Sequence, residues 1–275
     1  GEPMKEYDKY LKLLKEKYPT KQSVYRELIN LNAIMNLPKG TEHFMSDLHG
    51  EYDAFYHIIN NCSGVIREKV AMLYGDELTV YEQQELCTLI YYPREKLSIL
   101  MDENKVNDEW YRNVLNQLIQ IAKLLSSKYT RSKVRKAMPV DFAYIIDELI
   151  HAQKDEDDNR SVYHRQIMET ILSLHNGDEF LVALTDLIKR LAVDHLHILG
   201  DIYDRGPHAD KILDLLMEHH SVDIQWGNHD ILWMGAFCGN PVCMALVVRN
   251  NIKYKTMSIL ENGYGISLRF LLQFA

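Results

Sequence analysis

Three short blocks of the 275-residue sequence combine residue types that hold divalent cations and handle phosphate: Asp47-Leu48-His49, Gly200-Asp201-Ile202-Tyr203-Asp204-Arg205 and Gly227-Asn228-His229-Asp230. Asp47 and His49 alternate with Leu48, so an extended backbone would project both polar side chains to one side. A carboxylate beside an imidazole suits a hard to borderline divalent ion. Asp201 and Asp204 follow a glycine, with Arg205 next to them. One carboxylate can bridge two cations, the second can orient an acid or base, and arginine can clamp a phosphate through two parallel hydrogen bonds. Asn228 and His229 add an oxygen ligand and a titratable imidazole. Each block alone also reads as an ordinary polar turn, because Asp, Asn and Gly are common there. Their coincidence argues for a site: all three follow a predicted strand, and their chemistries complement one another.

The surrounding pattern supplies elements that could position these residues. Glu42 to Ser46 reads as a short strand running into Asp47, and Tyr52, Phe55, Tyr56 and Ile59 follow at helical spacing. His195 to Leu199 reads as a buried strand ending at Gly200, and Val222 to Trp226 as the strand before Gly227. A helix over Ala209–His219, with Ile212, Leu213 and Leu216 inward, separates those two strands. In open α/β sheets ligands bind beyond the carboxyl ends of the strands, where the three blocks fall.

Ahead of this pattern, Tyr7–Tyr18 and Ser23–Met35 read as helices, the second with Val24, Leu28, Leu31 and Ile34 as its apolar positions. Between about Val65 and Gly177 strand signals fade. Val80–Leu100, Glu109–Leu125 and Asp141–His151 are helical in pattern, and the acidic run Asp155–Asn159 reads as a solvated turn. Arg131–Lys136 is the exposed end of a helix or a basic patch. From Asp178 the α/β pattern returns, beginning with an amphipathic helix over Glu179–Leu191. The expected organisation is an N-terminal helical segment over 1–40, a first part of the core over 41–64, a helical insertion over 65–177 and a second part of the core over 178–275.

Composition bounds the function. A hydrophobic fraction of 47% and a charged fraction of 25% are those of a globular domain. The net charge of -8 argues against a surface that holds nucleic acid by counterion release. Cys62, Cys87, Cys238 and Cys243 form no CxxC pair, so reduced thiols and a cytoplasmic location are expected. The charged stretch from Met4 to Asp8 leads into no apolar leader, and no apolar run is long enough to cross a bilayer. No membrane partner is expected.

DxH, GDxxDR and GNHD in this order resemble the signature of the calcineurin-like metallophosphoesterases. The flanking segments Leu37–Phe44, Trp226–Ala236 and Asn262–Ile266 are similar to the class III fructose-1,6-bisphosphatases of bacteria. The resemblance extends from about Met4 to the last residue. It implies an α/β fold with a metallophosphoesterase-type αββα sandwich core, incomplete at the C-terminus, carrying a large all-helical insertion and N-terminal helices. It also implies two divalent metal ions, with manganese preferred. Asp47 and His49 would hold the first metal, Asp201 would bridge both, and Asn228 would hold the second and touch the substrate phosphate. His229, paired with Asp204, would protonate or electrostatically assist the leaving alkoxide. Arg205 would bind phosphate, and a metal-bound hydroxide would attack phosphorus in line.

The implied reaction is hydrolysis of fructose 1,6-bisphosphate to fructose 6-phosphate and phosphate, a step of gluconeogenesis, with a small phosphorylated sugar as substrate. The sequence departs from the superfamily pattern in one respect: no histidine follows His229, where two more metal ligands belong. The expectation is therefore a chain truncated before the end of its catalytic domain, with an unfinished second metal site. Two alternatives stand beside the sugar bisphosphatase: a phosphoprotein or nucleotide phosphatase with the same metal core, and an inactive fragment or interaction module. A homo-oligomer is one possible assembly, and the helical insertion is a candidate for either oligomer contacts or regulation. Arg249, Lys253 and Lys255 read either as binders of a second phosphate or as an exposed cationic edge. Trp226 and Trp233 read as core, Cys238 and Cys243 as buried thiols, and His195, His197, His219 and His220 as structural or solvated.

Overall fold

The computed structural model describes residues 2–152 and 158–274. It begins with α1 (Glu2–Lys17) and α2 (Lys21–Ile34), the latter opened by a reciprocal cap in which Thr20 and Ser23 satisfy each other's backbone amides. Val24, Leu28, Leu31 and Ile34 recur at helical spacing as the sequence indicates, yet all four are exposed, and α2 buries none of its residues.

Strand β1 (Glu42–Met45) and helix α3 (Tyr52–Asn61) come next, and a helical run follows: α4 (Val65–Tyr74), α5 (Val80–Tyr91), α6 (Pro93–Asp102), α7 (Asp108–Ser126), α8 (Arg131–Ala137), α9 (Ala143–Ile150) and α10 (Asp158–Ser173). Local chemistry sets the boundaries. Thr79 and Glu82 form a capping box at α5, Asn107 accepts from the Trp110 amide at α7, and Pro93 splits the stretch Val80–Leu100 into α5 and α6. The expected acidic turn falls mostly on 153–157, outside the described residues, and Asp158 and Asn159 already belong to α10. The Arg131–Lys136 run forms most of α8 and is largely exposed apart from Val134.

After α11 (Gly177–Ala192) come β2 (His195–Ile198), α12 (Ala209–Glu218), β3 (Val222–Ile224), α13 (Asn228–Phe237) and α14 (Pro241–Tyr254). A π-turn at Ile259–Gly263 and α15 (Arg269–Phe274) end the described chain. The three strands pair in parallel in the order β1-β2-β3, so the fold is α/β, mostly helical around a small parallel sheet. Trp226, expected in the core, lies beyond the shortened β3 and is exposed. Among the described residues no helix is long and apolar enough to cross a membrane.

Three apolar clusters hold these elements. The largest is helical. Leu115, Leu118, Ile121 and Leu125 of α7 meet Phe180, Leu184, Leu187 and Leu191 of α11, with α4, α5 and α9 closing around them. Although α11 follows the predicted return of the α/β pattern, its apolar stripe is spent in this helical core. The second cluster backs the sheet: Leu196 and Ile198, alternate residues of β2, pack with Phe55 of α3 and Ile212 and Leu216 of α12. Strand alternation turns His195 and His197 to the opposite face. The third joins Val247 of α14 to Leu260 and Leu268, with Trp233 of α13 against it.

Candidate metal and phosphate site

The three blocks converge because the loops after the strands continue the sheet's hydrogen bonding. Asp47 donates its backbone amide to the Gly200 carbonyl, His49 to that of Asp201 (2.8 Å) and Gly50 to that of Ile202 (2.8 Å), and Gly206 returns a bond to the His49 carbonyl (2.7 Å). The first two loops are thus zipped together beyond the strand ends. The backbone there is not extended. Asp47, His49, Asp201, Asp204 and Arg205 all have φ between 46° and 76°. They are five of the ten non-glycine residues in the left-handed region among those described. Each such residue costs roughly 1 kcal/mol or more, and strain of this kind gathers at functional sites. The outcome matches the sequence argument by another route: left-handed turns, rather than an extended dipeptide, aim Asp47 and His49 together.

His49 is 6% exposed. Its Nδ1 lies 3.2 Å from the Tyr203 carbonyl oxygen, which can only accept, so Nδ1 carries the proton. Nε2 is buried with no hydrogen-bond partner, 3.6 Å from Asp47 Oδ1. Ligand atoms of Asp47, His49 and Asp201 all lie within 4.8 Å of one another. A buried imidazole nitrogen without a hydrogen-bond partner, facing two carboxylates, is the arrangement of a cation site, with the backbone bond at Nδ1 orienting the ring. The donor set fits a divalent ion.

The third loop is held against the second by Asp230, which sequence reasoning quoted but gave no role. Its buried carboxylate accepts from four backbone amides: Asp201 (2.7 Å), Ile202 (2.9 Å), Tyr203 (3.1 Å) and Gly227 (2.8 Å). Gly227 sits so close that a Cβ there would fall 2.2 Å from Asp201 Oδ1. Gly200, at φ 92°, would meet the Gly227 amide at 2.4 Å with a Cβ. The His229 amide in turn donates to Asp201 Oδ1 (3.2 Å).

His229 Nδ1 lies 2.8 Å from Asp204 Oδ2, and its ring is edge-on to that of His49 at 5.4 Å. Asp204 is 1% exposed, and two further side chains donate to it: Trp233 Nε1 to Oδ1 (3.1 Å) and Asn250 Nδ2 to Oδ2 (2.9 Å). Trp233, read as core, therefore also anchors this carboxylate, and nothing local in the sequence marks Asn250. Tyr203 stacks on Trp233 at 4.4 Å and shares a hydrogen bond with Tyr264 (2.9 Å). Burial, reinforced by the bond to Tyr264, raises the Tyr203 phenol above its ordinary pKa and keeps it protonated.

Asn228 opens α13 between Gly227 and His229 and is exposed, as is Arg205 next to Asp204. Arg249, Lys253 and Lys255 are exposed on and just beyond α14. All four cysteines are free: burial pushes Cys62 up to about 12, whereas Cys238 is exposed. A second group with metal-ligand spacing, His195, His197 and Asp223, lies on the sheet face away from the core.

The sequence profile of a family described as the Firmicute fructose-1,6-bisphosphatase matches residues 9–275. The class 3 fructose-1,6-bisphosphatase 1 of Clostridium beijerinckii is 54% identical over 282 residues, covering 99% of this chain and 42% of that protein. The class 3 enzyme of Listeria monocytogenes is 55% identical over 267 residues, 97% of this chain and 41% of its own. That of Clostridium acetobutylicum is 53% identical over 275 residues, 100% and 41%. The chain spans about two fifths of the length of the curated relatives it matches. No solved structure matches it.

Proposed function

Because the chain belongs to the Firmicute fructose-1,6-bisphosphatase family, we propose that the whole protein hydrolyses fructose 1,6-bisphosphate to fructose 6-phosphate and phosphate. The observation that carries the chemistry is the buried Nε2 of His49, which faces Asp47 and Asp201 with no other partner. We assign the three strands and their flanking helices to the first half of an αββα metallophosphoesterase core, with the helices between α3 and β2 as an insertion.

In this reading Asp47 and His49 would hold one divalent ion, and Asp201 and Asn228 would supply ligands toward a second. Mn²⁺ is the expected metal, since Asp, His and Asn donors are compatible with it. Bound divalent ions polarise the phosphoryl group and bring the pKa of a coordinated water near neutrality. The protein's own part is positional and acid–base. The exposed Arg205 and Asn228 take the phosphate oxygens. Asp204 accepts from His229 Nδ1 and orients the ring, so that in its doubly protonated form Nε2–H would give its proton to the leaving oxygen of the sugar and the ring would end neutral. Asp230 keeps the second and third loops in register, and Trp233 and Asn250 prevent Asp204 from turning away.

The test is phosphate release by the full-length protein with Mn²⁺, comparing kcat/KM for fructose 1,6-bisphosphate with that for a phosphoserine peptide and a nucleotide. The reading requires the sugar to be preferred. Preference for the peptide or nucleotide would keep the metal chemistry and overturn the substrate. The 275-residue chain offers no histidine after His229, and its relatives are more than twice as long. Its own turnover should therefore fall far below that of the full-length protein, and equal rates would show that the ligands here suffice.

A further inference from the structure

We propose that His195, His197 and Asp223 form a second, separate cation site, suited to a borderline divalent ion of the Zn²⁺ class, that clamps β2 to β3. On β2 the residues alternate: Leu196 and Ile198 enter the core, and His195 and His197 stand side by side on the other face. The strand register places Asp223 of β3 directly opposite His197. The carboxylate lies between the two rings, with His197 Nδ1 2.8 Å from Oδ1 and His195 Nε2 3.2 Å from Oδ2. The three ligand atoms lie within 4.8 Å of one another. A tetrahedral ion with metal–ligand bonds of about 2.0–2.1 Å needs donor atoms roughly 3.3 Å apart. The observed spacings require only a small opening to admit one.

The surroundings also orient the rings. Ser221 Oγ lies 2.6 Å from His195 Nδ1, which leaves Nε2 directed at Asp223. Phe44 of β1 stacks on His197 at 4.3 Å, 13° from parallel, and fixes the plane of that ring. His197 Nε2 is buried without a hydrogen-bond partner, 3.8 Å from Glu42 Oε2. An imidazole whose outer nitrogen is steered by a hydroxyl or carboxylate is the usual second layer of a metal site. Two imidazoles and one carboxylate are a softer set than Asp47, His49 and Asp201, so they favour Zn²⁺ over Mn²⁺.

Zn²⁺ titration of the metal-free 275-residue chain carrying Asp47→Asn, followed by calorimetry, isolates this site from the other. One equivalent should bind, at least about tenfold more tightly than Mn²⁺. Adding Asp223→Asn or His195→Asn should weaken Zn²⁺ binding by at least about tenfold, and Ser221→Ala by a smaller factor through ring orientation. Asp223 is 62% exposed at its side chain, so its replacement spares the core, and circular dichroism checks that each variant is folded. Absence of Zn²⁺ uptake by the Asp47→Asn chain overturns the proposal. So does uptake that Asp223→Asn leaves unchanged.

Discussion

His229 Nδ1 and Asp204 Oδ2 stand 2.8 Å apart, on a carboxylate that Trp233 and Asn250 also hold and that solvent does not reach. This pair joins two loops and fixes which nitrogen of His229 is free. If that nitrogen serves the leaving group, His229→Ala in the full-length protein should lower kcat by about 10²–10⁴, with a smaller change in KM. Asp204→Asn keeps the shape but puts an amide where the ring proton needs an acceptor. It should lower kcat similarly and leave metal content unchanged. A kcat within twofold of the parent for both variants would remove the acid–base role.

Asp230 makes a different claim, about architecture. Its carboxylate accepts from four backbone amides in two loops, and it is 5% exposed. Asp230→Ala leaves those amides buried without partners. At roughly 1–3 kcal/mol for each unsatisfied donor, offset by local rearrangement, the loss should be about 3–5 kcal/mol by urea unfolding. Asp230→Asn retains one acceptor oxygen and should lose less. Because the tethered amide of Asp201 sets its side-chain direction, both variants should also bind Mn²⁺ more weakly. Unfolding curves that superimpose on the parent would show the loops hold without this carboxylate.

The reach of the sequence follows the same division. Asp201 and Asp204 are legible because they follow β2, whose apolar alternation is strong, whereas β1 and β3 bury none of their residues and Asp47, His49 and His229 stand out by residue type and spacing instead. Leu196 and Ile198 mark β2 unambiguously, and the loop must begin where they end. Asp230 was visible as a letter of the third block, but its partners are main-chain amides, which no side-chain pattern announces. Asn250 reaches Asp204 from the middle of α14, 46 residues away in sequence, and a helix interior carries no mark of such a contact. Val24, Leu28, Leu31 and Ile34 show the converse. Their spacing predicts a helix correctly, but spacing does not say what the apolar face meets, and here it meets solvent. His195 and His197 read as structural or solvated because they sit on a strand, and a strand period does not reveal that Asp223 stands opposite His197.

Half-buried His219, at the end of α12, introduces a pH dependence. Burial, then the adjacent His220, pushes its pKa down to about 4 from an ordinary 6.5. Between those values the unfolded chain takes up a proton that the folded chain refuses, so stability falls as pH drops from about 6.5 to about 4 and levels off below. Above pH 7 the group contributes no slope. With solvent screening allowed for, the change is on the order of 1 kcal/mol, or roughly 2–4 °C in Tm for a chain of this size. The His219→Gln chain should show a smaller drop across this window than the parent. Equal slopes would assign the acid sensitivity elsewhere.

Gly227 separates crowding from backbone strain. Its φ of -97° is open to any residue, so alanine there meets no conformational penalty of its own. The obstacle is contact: the added Cβ would lie 2.2 Å from Asp201 Oδ1 and 2.5 Å from the Asp201 amide. Either the loop after β3 withdraws or Asp201 turns, and both displace the Asp201 carboxylate from Asp47 and His49. Gly227→Ala should therefore weaken Mn²⁺ binding by about 10–100-fold, the range expected when a ligand's supporting contacts are disturbed. Gly239→Ala is the matched control. At φ 85° it is strained, but no atom lies within 4 Å of its Cβ, so it should cost about 1 kcal/mol of stability and leave metal affinity unchanged. Equal loss of metal binding in both variants would trace the effect to general destabilisation. Loss in Gly227→Ala alone ties the metal site to the close approach of these two loops.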